Sequence, residues 1–205
     1  MKVSAVINKP SFTVDNTKKS AVISSIVLVS GIISGTLIYI ITKGEVSKEL
    51  WELFVSFSMD FSNKSKSEIF SGLALQNLAY YFLMLIFGVC AFGTPAVFFL
   101  SFVKSMGLGM LTTYIYDTFA LKGIEYCLLI FFPGKILLLF AMVLLTQNCY
   151  VMSFDINRSL RNKNDRVVEF RKFGLRALLI LLIIMPSSLV DFFTIISFSS
   201  LFDFS

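Results

Sequence analysis

The sequence predicts an all-α, polytopic membrane protein with five transmembrane helices and a short amphipathic surface helix. Three observations carry that reading. Of 205 residues, 56% are hydrophobic, and mean hydropathy is +0.81. Only 15% are charged, where a soluble domain carries roughly a quarter. The apolar surplus is gathered into runs long enough to cross a hydrocarbon core of about 30 Å at about 1.5 Å of rise per residue. The net charge of +5 decides little by its size. The placement of lysines and arginines decides orientation.

In chain order, residues 1–19 are polar, with Lys2, Lys9, Lys18 and Lys19 against Asp15 alone. The first apolar run, 20–42, has the length of a span and no small-residue cleavage site leading to a soluble domain. It reads as a spanning helix and not a removed signal peptide. Gly31 and Gly35 form a GxxxG pattern beside Ser30 and Ser34, giving a small face for close helix packing.

Residues 43–76 are polar and mixed in charge, an extracytoplasmic loop in the expected topology. Val46, Leu50, Leu53, Phe54, Phe57 and Phe61 recur there at helical spacing. That pattern predicts an amphipathic helix on the membrane surface with Trp51 at the interface. Leu50, Trp51, Phe54 and Phe57 are its candidate partner face. Ser65-Lys66-Ser67-Glu68 then has the form of a capping box, so a new helix starts there.

That helix enters the apolar region at about Ile69 and spans 74–93, with Asn77 inside it. Gly93-Thr94-Pro95 predicts a turn or sharp kink, because the residue before a proline disfavours helical geometry. The next span, 96–116, holds Lys104 near its middle, followed by Gly107 and Gly109. Residues 117–123 are expected as a short polar connection, and 124–150 as the fourth span. Pro133-Gly134-Lys135 near its centre predicts a break or kink, since proline removes a backbone hydrogen bond. Residues 155–176 are the most basic segment, read as a cytoplasmic loop meeting anionic headgroups. The last span, 177–198, is interrupted by Pro186 and Asp191.

The basic amino-terminal tail and the 155–176 loop both belong in the cytoplasm by the positive-inside rule. Five crossings between an inside start and an outside end satisfy both. Two re-entrant helices over 74–116 give the same parity, but both segments are long enough to span. Counting helical rise places Lys104 and Lys135 about 15–18 Å from the outer face, at a shared depth. The same count places Asp191 higher, in the outer half. Ionisable residues at such depth are costly, by roughly 2.5–3.5 kcal/mol on insertion scales, so they face protein or water. Three readings stay open for them: a structural ion pair, a transport pathway, or a docking feature.

Much chemistry is excluded. There are no histidines, so rhomboid-type Ser–His catalysis and His-ligated metalloprotease chemistry have no basis. Asp191 is the one deep aspartate, so a paired-aspartate site cannot be assembled. Cys90, Cys127 and Cys149 sit in or beside apolar segments without metal or redox spacing. No catalytic, cofactor or metal site is expected. Nucleic-acid binding is a poor reading of a basic cluster lying between two membrane helices.

Several segments carry a family pattern. They are Asn77-Leu78, Phe87-Gly88, Phe92-Gly93-Thr94-Pro95 and Phe102-Val103-Lys104-Ser105-Met106-Gly107-Leu108-Gly109. Phe132-Pro133-Gly134 and Ser188-Leu189-Val190-Asp191-Phe192-Phe193 follow in the fourth and last helices. In this order the chain resembles the stage II sporulation protein M family from about Ser20 to Ser200. It departs from the family at Ser105, where glycine is frequent, at Gly134-Lys135, where a polar residue usually follows the proline, and at Asp191, which replaces the usual glutamate.

The resemblance implies a non-enzymatic membrane protein. The residues and the family pattern together make Asn77, Gly93, Pro95, Lys104, Gly107, Gly109, Pro133, Lys135 and Asp191 the candidate functional or packing positions. It further implies a scaffold in a complex with the peptidoglycan-degrading stage II sporulation proteins D and P during engulfment of the forespore. Membrane lipids and other membrane proteins are the expected partners, with no nucleic acid. The alternative is a small transporter or permease component built on Lys104, Lys135 and Asp191, because broken helices build substrate sites in transporters.

Overall fold

The computed structural model describes residues 14–42, 66–161 and 170–198. The expected surface helix, with Leu50, Trp51, Phe54 and Phe57, lies outside the described residues. The helices are α1 (Val14–Ile41), α2 (Lys66–Val89), α3 (Gly93–Tyr126), α4 (Phe132–Arg161) and α5 (Phe170–Phe198), with a π-helical turn, Cys127–Phe131, between α3 and α4. Each of the five contains an apolar stretch long enough to cross a membrane: Lys19–Ile41, Ser67–Val89, Gly93–Asp117, Phe132–Asn157 and Phe170–Ser197. There is no strand among the described residues.

Helix boundaries follow local chemistry. α2 is described from Lys66, with Glu68 in its first turn where the helix dipole favours an acid; Ser65, the first residue of the expected capping box, lies outside the described residues. It ends in a tight turn, in which Cys90 N donates to Phe87 O (3.1 Å) and Gly93 N to Cys90 O (3.0 Å). A Cβ on Gly93 would overlap Phe87 O, so a glycine is required for that approach. Pro95 falls in the first turn of α3, where its missing N–H leaves no intrahelical bond unmade. Gly93-Thr94-Pro95 is therefore a turn and a helix start, not a kink within a helix. Ser153 of α4 fastens it: Thr94 N and Thr94 Oγ1 each donate to Ser153 Oγ at 3.1 Å, and Ser153 Oγ donates to Cys90 O at 2.8 Å.

Four expectations change in detail. The 117–123 connection is helical apart from Ala120 (φ 47°, ψ −122°), a conformation close to the first central position of a type II′ turn. The chain folds back there, since Tyr126 and Cys127 pack in one cluster with Ile115. The break expected around Pro133 is instead the π-helical turn just before it, in which Phe132 N donates to Cys127 O. That wider turn accommodates the proline and the helix resumes. α5 runs unbroken through Pro186 and Asp191, because a membrane helix absorbs a proline by local adjustment. The basic segment 155–176 is partly helical as well, since α4 continues to Arg161 and α5 starts at Phe170.

α4 is the centre of the bundle. Half of its apolar stretch is buried, against 22% for α1. One core cluster gathers Met84, Val97, Leu138, Leu145, Cys149 and Ile184 around it. A smaller cluster of Ile69, Leu73, Ile115, Tyr126, Cys127 and Ile195 sits near the α3 reversal. Outward faces carry exposed Ile26, Phe99, Ile136 and Leu182, as a lipid-facing surface requires. α1 packs on α3 through its small face. Cβ atoms on Gly31 and Gly35 would overlap Ser105 Oγ and Met106 O, and one on Gly109 would overlap Ile32 O. Thr113 Oγ1 donates to Thr36 Oγ1 (3.2 Å) and Tyr39 Oη to Asp117 Oδ2 (3.2 Å) along the same seam.

Candidate polar cluster inside the bundle

Lys135 and Asp191 meet. Nζ donates to Oδ2 at 2.8 Å, with side chains 16% and 3% exposed. Counting along the helices put Asp191 above the lysines; contact puts it level with Gly134-Lys135. A Cβ on Gly134 would overlap Asp191 Oδ1 and lie 3.0 Å from Ser187 O. Ser187 Oγ in turn donates to Gly134 O at 3.1 Å. The glycine thus lets α4 approach α5 closely enough to seat the carboxylate. The π-helical turn contributes as well, since Lys135 Nζ lies 5.6 Å from the centroid of the Phe131 ring.

Asn77 joins the cluster from α2. Its Nδ2 donates to Ser188 Oγ at 2.9 Å, and both residues are buried. Asn77, Gly134, Lys135 and Asp191 therefore converge across three helices. Lys104 stands beside them on α3. It is half-buried, its Nζ lies 5.6 Å from the Tyr80 ring centroid, and it is within electrostatic reach of both Lys135 and Asp191. It makes no hydrogen bond or ion pair among the described residues.

The other sequence candidates lie elsewhere. Gly93 and Pro95 belong to the α2–α3 turn, about 14–17 Å along α3 from Lys104 by helical rise. Gly109 serves the α1 contact, Gly107 is half-buried on the same helix, and Pro133 sits in the first turn of α4. Ser105, the departure from the family pattern, is fully buried against Gly31 and bonds back to Ser101 O (3.0 Å) and Phe102 O (2.9 Å). Sequence reasoning missed Tyr80, Ser187 and the buried Ser101–Thr146 link of 2.7 Å, and it quoted Ser188 only as the start of a pattern, not as a contact of Asn77. Serines and a tyrosine inside an apolar run are too common in membrane helices to stand out. Ser187 and Ser188 did have one signal: they precede Asp191 by one turn on the same helix.

Chemically this is a set of mutually satisfied polar groups with one extra cation. Among the described residues, no three His, Cys, Asp or Glu side chains gather where a metal would sit. The family model described as stage II sporulation protein M matches residues 24–198. The chain belongs to that family. No curated protein and no solved structure matches it. The match to the stage II sporulation protein M model begins inside α1 and ends at the last residue of α5, so it covers the whole helical bundle. The chain is thus a multi-pass membrane protein of this family, which is not known as a family of enzymes. Within the bundle, the Asn77–Ser188 and Gly134–Asp191 contacts both lie inside the matched range.

Proposed function

We propose that the chain is a non-enzymatic membrane scaffold that recruits or localises peptidoglycan-hydrolase partners during forespore engulfment. By family, those partners are the stage II sporulation proteins D and P. The observation that carries the reading is the family match over residues 24–198. The bundle supports it: its buried polar groups are spent mainly on joining helices, as in Asn77–Ser188, Ser101–Thr146 and Lys135–Asp191. The protein sits in the bacterial cytoplasmic membrane with its amino terminus cytoplasmic and its carboxyl terminus outside. The 43–65 segment then faces outward, towards peptidoglycan, and the basic segment between α4 and α5 faces inward.

The test is in-cell cross-linking of a tagged copy, followed by mass spectrometry in sporulating and vegetative cultures. Recovery of peptidoglycan hydrolases in sporulating cells alone is the expected result. Unchanged positioning of those hydrolases after deletion of the chain would count against the reading. The transporter or permease alternative is favoured by one observation, a Lys104 without an ion-pair partner among the described residues, beside the Lys135–Asp191 pair. Solute flux unchanged by Lys104→Gln and Lys135→Gln together removes that alternative.

A further inference from the structure

Inside the bundle two lysines share one carboxylate. Asp191 is fully committed, with Oδ2 on Lys135 Nζ at 2.8 Å, Oδ1 against Gly134, and only 3% of its side chain exposed. Lys104 feels that carboxylate from a distance and touches none among the described residues. An ammonium at this depth is costly to leave without an anion. Its surroundings have unused hydrogen-bonding capacity. Tyr80 Oη is buried and turned inward towards Ser101, without a well-formed hydrogen bond among the described residues. Ser101 lies beside it but spends its hydroxyl on Val97 O (3.0 Å) and Thr146 Oγ1 (2.7 Å). Gln76, one turn from Tyr80 on the same face of α2, is exposed and also makes no hydrogen bond among the described residues. Helical rise puts Gln76 about 20 Å and Lys104 about 16 Å from the α2–α3 turn, so they share a depth within one turn. Around them the surface is apolar, with Leu83 41%, Phe99 65% and Val103 40% exposed.

We infer that the α2–α3 face around Lys104 docks a transmembrane helix of another protein that carries a carboxylate at mid-membrane depth. The carboxylate pairs with Lys104, and exposed Gln76 supplies a further hydrogen bond. The inference deepens the scaffold reading and rests on it for the existence of a membrane partner. Charge complementarity selects the occupant: an apolar helix would leave Lys104 as it stands, and a basic one would worsen it. Among the described residues a second copy of this chain offers no such carboxylate. Its Asp191 is buried by its own Lys135, and its other described acids, Asp15, Glu68, Asp117, Glu125 and Asp155, lie near or beyond the ends of the membrane-crossing stretches.

The test uses the full chain, donor-labelled, in liposomes with an acceptor-labelled leucine–alanine peptide of about 23 residues, long enough to span. The peptide carries glutamate, glutamine or leucine at its centre, and energy transfer reports association. The glutamate peptide is expected to associate about tenfold more strongly than the leucine peptide, the scale of a good interhelical polar contact. The preference should vanish with Lys104→Leu, persist with Lys104→Arg, and vanish when the glutamate is moved two turns towards either end. Moving the glutamate uses the wild-type chain, so it holds even where a variant fails to fold. Equal association of the glutamate and leucine peptides with the wild-type chain would overturn the inference. So would energy transfer between two copies of the chain that Lys104→Leu abolishes, which would assign the face to self-association. Recovery of hydrolases in cells without peptide discrimination leaves the scaffold reading standing and removes this one. Discrimination without hydrolases does the reverse.

Discussion

Asp191→Asn is the sharpest probe of the bundle. The substitution keeps the shape of a side chain wedged against Gly134 and removes the charge that Lys135 pairs with at 2.8 Å. Orphaning one member of a buried pair costs about 3–5 kcal/mol. The lower end applies here, because Lys135 keeps 16% exposure and a neighbouring Phe131 ring, so its ammonium is partly relieved. About 3 kcal/mol is a loss on the order of 100-fold in the folding equilibrium. Lys135→Met should cost at least as much, since it strands a carboxylate that is only 3% exposed. The double substitution should recover most of the loss, because replacing both members of a buried pair is often near neutral. The assay is equilibrium unfolding in mixed micelles, read by helix circular dichroism, for both single variants and the double. A loss below about 0.5 kcal/mol in Asp191→Asn, with single effects that add within about 0.5 kcal/mol, would refute the argument.

Other predictions use the same bundle. Gly35→Ala and Gly109→Ala should destabilise it, because each Cβ would overlap a backbone carbonyl across the α1–α3 seam. Gly72→Ala and Gly174→Ala meet nothing within 4 Å and should be neutral or stabilising, by up to about 0.5–1 kcal/mol; thermal melts of the four variants decide. Ala120→Gly should raise stability by about 1 kcal/mol in the same unfolding assay, by relieving a backbone conformation that side chains resist. Cys90 is exposed while Cys127 and Cys149 are buried, so an impermeant maleimide should modify Cys90 alone. Labelling in inverted vesicles but not in intact cells places the α2–α3 turn in the cytoplasm, and the opposite result reverses the topology.

The apolar runs made the five helices legible, because lipid imposes length and composition on each segment independently. The glycine face of α1 was legible for the same local reason, although its partner on α3 was not. Pro95 marked the start of α3. What escaped depends on three dimensions. A polar run at 117–123 looks like a loop, yet a single left-handed residue reverses the chain and leaves its neighbours helical. Pro186 looks like a break, yet α5 passes through it. Lys135 and Asp191 are separated by 56 residues, and helical counting could not choose between Lys135 and Lys104 as the partner of the aspartate. The choice falls to Gly134, whose missing side chain opens the space that Asp191 enters.

The π-helical turn explains how this choice is held in place. A π-helical turn takes up roughly one residue more than an α-turn, and one residue corresponds to about 100° of rotation around a helix. Every side chain after Phe131 is therefore displaced around the axis relative to an uninterrupted α-helix. Upstream of the shift, Tyr126 faces the cluster of Ile115 and Ile195; downstream, Leu138, Ala141 and Leu145 face the cluster of Met84 and Ile184. One helical path thus serves two cores, and Gly134-Lys135 lies at the changeover, turned towards α5. Pro133 favours that arrangement, because its absent N–H and bulky ring disfavour a regular α-turn at this point. The ion pair and the proline belong to one device: the proline sets the phase of α4, the phase aims Lys135 at Asp191, and the pair uses up the carboxylate that would otherwise neutralise Lys104.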